Sequence, residues 1–203
     1  MSNAILQAAD SIARGGVVIY PTETLYALGT SITSLQAVER ISDLKQRDRN
    51  KPLPVIIGAL DQLDMITEWK DAELSRLIRN FWPGPLSILV PARHGLSRLI
   101  QDAHGFVAVR WTSHSTAQAL ALHCRAPLVA TSANPGGEPA AGRPQDLDPA
   151  LVEKVDMVVD LPPYPAGGLP STVVQILADG RLKIFREGAV TSKQLQEAGW
   201  QIS

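Results

Sequence analysis

Three polar segments of this sequence follow apolar runs, where a short strand would deliver hydroxyls, amides and cations to a ligand. The first is Tyr20-Pro21-Thr22-Glu23-Thr24-Leu25-Tyr26-Ala27-Leu28-Gly29, whose threonines come just after the β-branched run 17–20. The second is Lys45-Gln46-Arg47-Asp48-Arg49-Asn50-Lys51, with four cations and one anion in seven residues. Cations gathered between a helix end and a buried strand can converge on a triphosphate as a charge-assisted clamp. The third is Ala130-Thr131-Ser132-Ala133-Asn134-Pro135-Gly136-Gly137, whose hydroxyls and amide can hold a phosphate, a ribose or an adenine edge. Taken singly, each has a plainer reading as a turn satisfied by its own side chains or as a solvated helix end. Taken together at strand ends, they are what a composite pocket needs, and strand ends are where α/β sheets hold ligands.

The standard nucleotide signatures are missing. There is no G-x-x-x-x-G-K-[ST], no G-x-G-x-x-G and no H-E-x-x-H. His94, His104, His114 and His123 show no ligand spacing, and Cys124 is the only cysteine. That excludes an internal disulfide and a zinc site built on paired cysteines, and it suits a reducing cytosol.

Apolar spacing predicts a helix over 5–12, stopped by Gly15-Gly16, and then a strand over 17–20. Residues 22–29 read as loop. Ser34 can cap a helix whose stripe Leu35, Val38, Ile41, Leu44 faces a core and delivers Lys45 and Arg47 at its end. Strands are expected at 55–57, 86–90, 106–110, 128–131, 157–160 and 172–177, with helices at 72–81 and 116–123. Pro83-Gly84-Pro85 must break the first of those helices. Asp179-Gly180 signals a hairpin between 174–177 and 182–185, and Thr191 with Gln194 has capping-box spacing. Residues 134–149 and 161–170 remain as long loops, a length that in a compact domain often carries function. Alternating strands and helices place the chain in the α/β class with a mixed sheet.

The 203 residues and 45% hydrophobic content suit one domain spanning 1–203, since domains of roughly 100 to 250 residues bury a self-sufficient core. Nineteen Lys and Arg against twenty Asp and Glu give a net charge of -1, so any nucleotide or nucleic acid must be met by a local patch. No stretch approaches the ~20 apolar residues that span a bilayer, and no leader is evident at the start. The expectation is a soluble, cytoplasmic protein without membrane contact.

Across nearly its full length the chain resembles the threonylcarbamoyl-AMP synthase family, the YrdC, TsaC or Sua5 proteins. The match lies in the Y-P-T-E-T opening, K-x-R followed by K-P-L, the W-P-G-P turn, a V-A-V-R strand, the T-S-A-N loop, an S-T-V-V strand and a late R-x-G, in that order. The resemblance implies a twisted open mixed sheet with flanking helices and a large concave groove holding threonine and ATP together. It puts Thr24, Arg110 and Ser171 on L-threonine, with Arg110 as the partner of its carboxylate. It puts Arg47, Lys51, Ser132, Asn134 and Arg186 on ATP, with Lys45 as a further phosphate partner. Lys45 and Arg47 would take the catalytic, charge-neutralising part.

The implied reaction joins L-threonine, bicarbonate or CO₂ and ATP into threonylcarbamoyl-AMP and pyrophosphate, with Mg²⁺ on the phosphates. The product would pass to the transferase complex that makes N6-threonylcarbamoyladenosine at position 37 of tRNA, which leaves weak binding to tRNA itself open. No residue stands out as a general base. The sequence departs from the family pattern at Ala27, where glycine is usual, at Asp48, which replaces a proline, and at Ile56, where some members carry a histidine. It also ends without the extra C-terminal domain of the longer Sua5 type, which places it with the short form. Two other classes compete: an RNA-binding module without catalysis, and a paralogue of the same fold that lacks the synthase reaction.

Overall fold

The structure, a computed structural model, describes residues 2–46, 51–136 and 138–203. The chain runs through α1 (Asn3–Ala13), β1 (Val18–Pro21), β2 (Tyr26–Gly29), α2 (Leu35–Leu44), β3 (Val55–Ile57), α3 (Ala72–Phe81), β4 (Leu86–Pro91) and β5 (Phe106–Trp111). It continues through α4 (Ser115–His123), β6 (Leu128–Val129), β7 (Thr131–Ser132), α5 (Pro149–Val152), β8 (Met157–Val158), β9 (Thr172–Ile176), β10 (Leu182–Arg186) and α6 (Ser192–Glu197).

The expected mixed α/β architecture is present, with its strands divided between two sheets. One has the order β7-β2-β1-β8 and the other β10-β9-β4-β5-β3-β6. β1 is buried along its whole length, which explains its continuous apolar run. Successive side chains point to opposite faces, so Val17 and Ile19 enter one core with Tyr26 and Leu28, while Val18 and Tyr20 enter a second with α1 and α4. The larger core lies between α2 and the six-stranded sheet.

Local signals acted as expected at several ends. Gly15 takes φ 82° after α1, and its amide bonds back to Ile12. Gly180 takes φ 80° in the β9–β10 turn, and Thr191 with Gln194 forms a reciprocal capping box.

Other elements differ from the local reading. Residues 26–29 are strand, because only Thr22 to Leu25 are needed to turn the chain back along β1. Thr22 closes that turn by donating its hydroxyl to the Leu25 carbonyl at 2.7 Å. The run 128–131 is two strands: β6 pairs with β3, while β7 pairs with β2 in the other sheet. The crossing residue, Ala130, donates its amide to Pro54. Leu35 is 57% exposed, since the buried face of α2 runs through Ala37, Val38, Ile41 and Ser42 instead. Ser34 stands at the N-cap, but its hydroxyl makes no capping bond.

Candidate active site

Where the two sheets part, they leave a cavity of about 490 Å³. Thr24, Arg110, Ser132, Asn134, Ser171 and Arg186 all line it. Six residues spread over 162 positions of sequence thus converge on one volume, because each sits at a strand end or in the turn beside one. Ala27 and Ile56, the departures noted in the sequence, form part of its wall and are almost fully buried. The wall at Ile56 is therefore apolar and offers no imidazole.

On one side, the Thr22 hydroxyl is spent on the turn, and the hydroxyl of Thr24, a residue of the cavity lining, lies 3.2 Å from it. Arg110 is the next-to-last residue of β5, level with Ile56 in the parallel register of β3 and β5. Burial pushes its guanidinium down to about 10, with Arg186 adding repulsion. It remains a cation at neutral pH. Its Nη1 bonds Glu23, whose second carboxylate oxygen accepts the Thr112 hydroxyl at 2.5 Å. The sequence reading gave Glu23 no role. Its signal was only that it separates two threonines in the opening motif.

Ser171 and Arg186, expected on different ligands, touch each other. Arg186 donates from Nε and Nη2 to the Ser171 carbonyl at 3.1 and 2.9 Å, and from Nη2 to its hydroxyl at 3.2 Å. The Ser171 hydroxyl also lies 3.0 Å from that of buried Ser87. Arg186 reaches the cavity because the β9–β10 register shifts between Ile184 and Arg186, leaving Phe185 as an extra residue. A bulge of that kind re-aims the side chain that follows it. The glycine of R-x-G has a packing reason too: a Cβ on Gly188 would stand 2.1 Å from the Pro170 carbonyl and push on Ser171.

On the opposite side, Ser132 donates to Asn134 Oδ1 at 2.5 Å. Lys45 is buried behind this loop, 4% exposed, and it is not among the residues that line the cavity. Its ammonium donates to the carbonyls of Ser132 and Asn134 at 2.7 and 2.5 Å and to Asn134 Oδ1 at 2.8 Å. The Ser132 hydroxyl oxygen lies 3.5 Å from the same ammonium. The structure thus makes Lys45 an internal tie of the Ser132–Asn134 loop, where the sequence suggested a helix-end cation beside phosphates. Lys51 is exposed and does not line the cavity. Arg47, with Asp48, lies outside the described residues.

Residues 163–168 form a strap over the Thr22–Leu25 turn. Gly167 donates its amide to the Thr24 carbonyl at 3.0 Å, and His114 donates from Nε2 to the Pro163 carbonyl at 2.8 Å. His114 Nδ1 is buried without a partner, and burial holds the imidazole below its ordinary pKa. As pH falls, the unfolded chain takes up this proton first. The stability due to neutral His114 is therefore complete above about 6.5 and is lost between that value and the depressed one. We expect His114→Gln to flatten the fall of unfolding free energy in acid, measured by urea unfolding between about pH 5 and 8. Parallel curves for both proteins would remove His114 from that role.

Among the described residues no three His, Cys, Asp or Glu side chains cluster as metal ligands. Among the same residues no helix is long and apolar enough to cross a membrane. Residues 10–188 match the Sua5/YciO/YrdC family model, whose description is telomere recombination. The chain belongs to the Sua5/YciO/YrdC family. It is similar to a threonylcarbamoyl-AMP synthase of Xanthomonas campestris, 37% identical over 158 residues that cover 75% of this chain and 83% of that protein. It is also similar to a threonylcarbamoyl-AMP synthase of Bacillus subtilis, 32% identical over 95% of this chain but 55% of that protein. The solved structure of P. abyssi Sua5 complexed with L-threonine superimposes with a TM-score of 0.88 at 29% identity, covering 98% of this chain and 58% of that one. Sua5/YciO/YrdC membership thus accounts for the order of motifs along the chain, and the cavity accounts for why they share one place.

Proposed function

We propose that this chain is an L-threonylcarbamoyl-AMP synthase, a nucleotidyltransferase acting in the cytoplasm. The observation that carries the reading is that side chains suited to an amino acid and side chains suited to a nucleotide line one cavity, the two groups meeting where Arg186 touches Ser171. Arg110, Thr24 and Ser171 suit an amino acid with a hydroxyl, and Ser132, Asn134 and Arg186 suit a nucleotide. The solved relative named with L-threonine adds support.

In this reading the threonine amine adds to CO₂ and loses a proton to give a carbamate. A carbamate oxygen then attacks the α-phosphorus of ATP, and the bond to the bridging oxygen breaks to release pyrophosphate. Mg²⁺ would enter with ATP as part of the substrate and help offset the phosphate charge. Catalysis of this kind rests on positioning and on neutralising the charge that develops at the phosphates. Arg186 supplies charge from the cavity wall. Lys45 holds the Ser132–Asn134 loop in place, and Arg47 and Lys51 remain candidate phosphate contacts from the resemblance. The unstable product would go to the transferase that modifies tRNA. An open basic track for RNA is a poorer fit to a near-neutral chain whose polar groups are gathered in a recess.

The test is pyrophosphate release from the purified chain with L-threonine, bicarbonate and ATP, omitting each in turn. Release should require all three together. Equal release without threonine would defeat the synthase reading, as would salt-sensitive RNA binding with no threonine-dependent release.

A further inference from the structure

We propose that Glu23 and Thr112 form a clamp that sets the aim of Arg110, making both of them positioning residues for the threonine carboxylate. This rests on the synthase reading above and assigns parts to two residues that do not line the cavity themselves. Arg110 and Thr112 are two apart along one extended stretch, so their side chains leave the same face. Glu23 comes from the turn of the other sheet and bridges them. One carboxylate oxygen takes Arg110 Nη1, and the other takes the Thr112 hydroxyl at 2.5 Å. The Thr112 oxygen in turn accepts the His114 amide at 3.2 Å, which fixes it from behind.

All three side chains are withdrawn from solvent. Those of Arg110 and Glu23 are 8% and 13% exposed, and Thr112 is fully buried. An arginine in such a place needs a counter-charge, and its long stem needs a fixed point if the planar fork is to be pre-organised. Engaging Nη1 alone does both. It leaves the Nε–Nη2 edge of the guanidinium, the geometry that takes a carboxylate by two parallel hydrogen bonds. Arg186 repels Arg110 across the same cavity, so a guanidinium without its clamp would lean away from the position described. Glu23 also lies between Thr22 and Thr24, so the clamp ties the turn that presents the Thr24 hydroxyl to the strand that presents Arg110.

The test measures binding, not turnover. Isothermal titration of the full chain with L-threonine, and separately with a non-hydrolysable ATP analogue, would be run on wild type, Glu23→Gln, Thr112→Val, Thr112→Ser and the Glu23→Gln/Thr112→Val pair. Both main variants keep side-chain volume. Threonine affinity should fall by about ten- to thirty-fold in each, and the pair should lose little more than Glu23→Gln alone, as expected for neighbours acting as one unit. Thr112→Ser keeps the hydroxyl and should recover most of the wild-type affinity. Affinity for the ATP analogue should stay within about twofold throughout, the range for a site that is not coupled.

A wild type that binds threonine, with variants that bind it equally well, would overturn the clamp and leave the synthase reading standing. Parallel loss of both ligands, with no rescue by serine, would reduce the pair to a merely structural role and also overturn it. A wild type that does not bind threonine would sink both.

Discussion

Arg110→Lys will retain the fold and lose threonine use, with kcat/KM for threonine falling about 10²- to 10³-fold. Lysine keeps the charge but is a single strongly hydrated point, without the fork that can hold Glu23 on one nitrogen and a carboxylate on another edge. The loss should appear mainly in the threonine KM, because Arg110 meets a group present in both ground and transition states. The KM for ATP should change little, since the Ser132–Asn134 loop lies on the other side of the cavity. Arg110→Ala tests the same contact less cleanly: it leaves the Glu23 carboxylate buried and unpaired, at a cost of about 3–5 kcal/mol. Steady-state kinetics with each substrate varied, alongside thermal melting, would separate the two effects. An unchanged threonine KM in Arg110→Lys would remove the carboxylate assignment.

Lys45→Met should damage stability and nucleotide use together. The apolar stem packs in either case, but the methionine sulfur cannot donate to the carbonyls of Ser132 and Asn134 or to Asn134 Oδ1. Hydrogen bonds to a charged group contribute about 1.5–3 kcal/mol each, and buried acceptors left empty carry their own cost. Relaxation of the loop recovers part of this, so a net loss of about 3–5 kcal/mol is reasonable. For a chain of this size that corresponds to a drop in Tm of roughly 10 °C. Nucleotide affinity should fall by at least about 10²-fold, because Ser132 and Asn134 would no longer be held at the cavity wall. Differential scanning calorimetry and titration with an ATP analogue would check both halves. A cation that merely capped α2 in solvent would leave both measurements near wild type, so that result would contradict the burial described here.

Lys45 shows where sequence reading reached and where it stopped. Position after an apolar helical stripe said that a cation would stand at the end of α2. It could not say that residues 132 and 134, nearly ninety positions on, would surround its ammonium with oxygens. Glu23 is the same case in a different form. An acid between two threonines has no local mark that distinguishes it from a turn residue, and its role exists only once β5 brings Arg110 and Thr112 alongside.

Sequence alone determined the elements whose causes are local: the α1 stop at Gly15, the β9–β10 hairpin at Gly180 and the capping box of α6. It also determined family membership, since the order of short motifs survives in the one-dimensional text. Tertiary structure decided what depends on a partner far along the chain. Residues 26–29 became strand because β1 and β7 flank them. The run 128–131 was cut in two because its halves pair with β3 and β2 in different sheets. Leu35 stayed in solvent because the core lies along another face of its helix. The cavity belongs to this second class: six side chains share it because two sheets diverge there, and periodicity within any one segment carries no record of that separation.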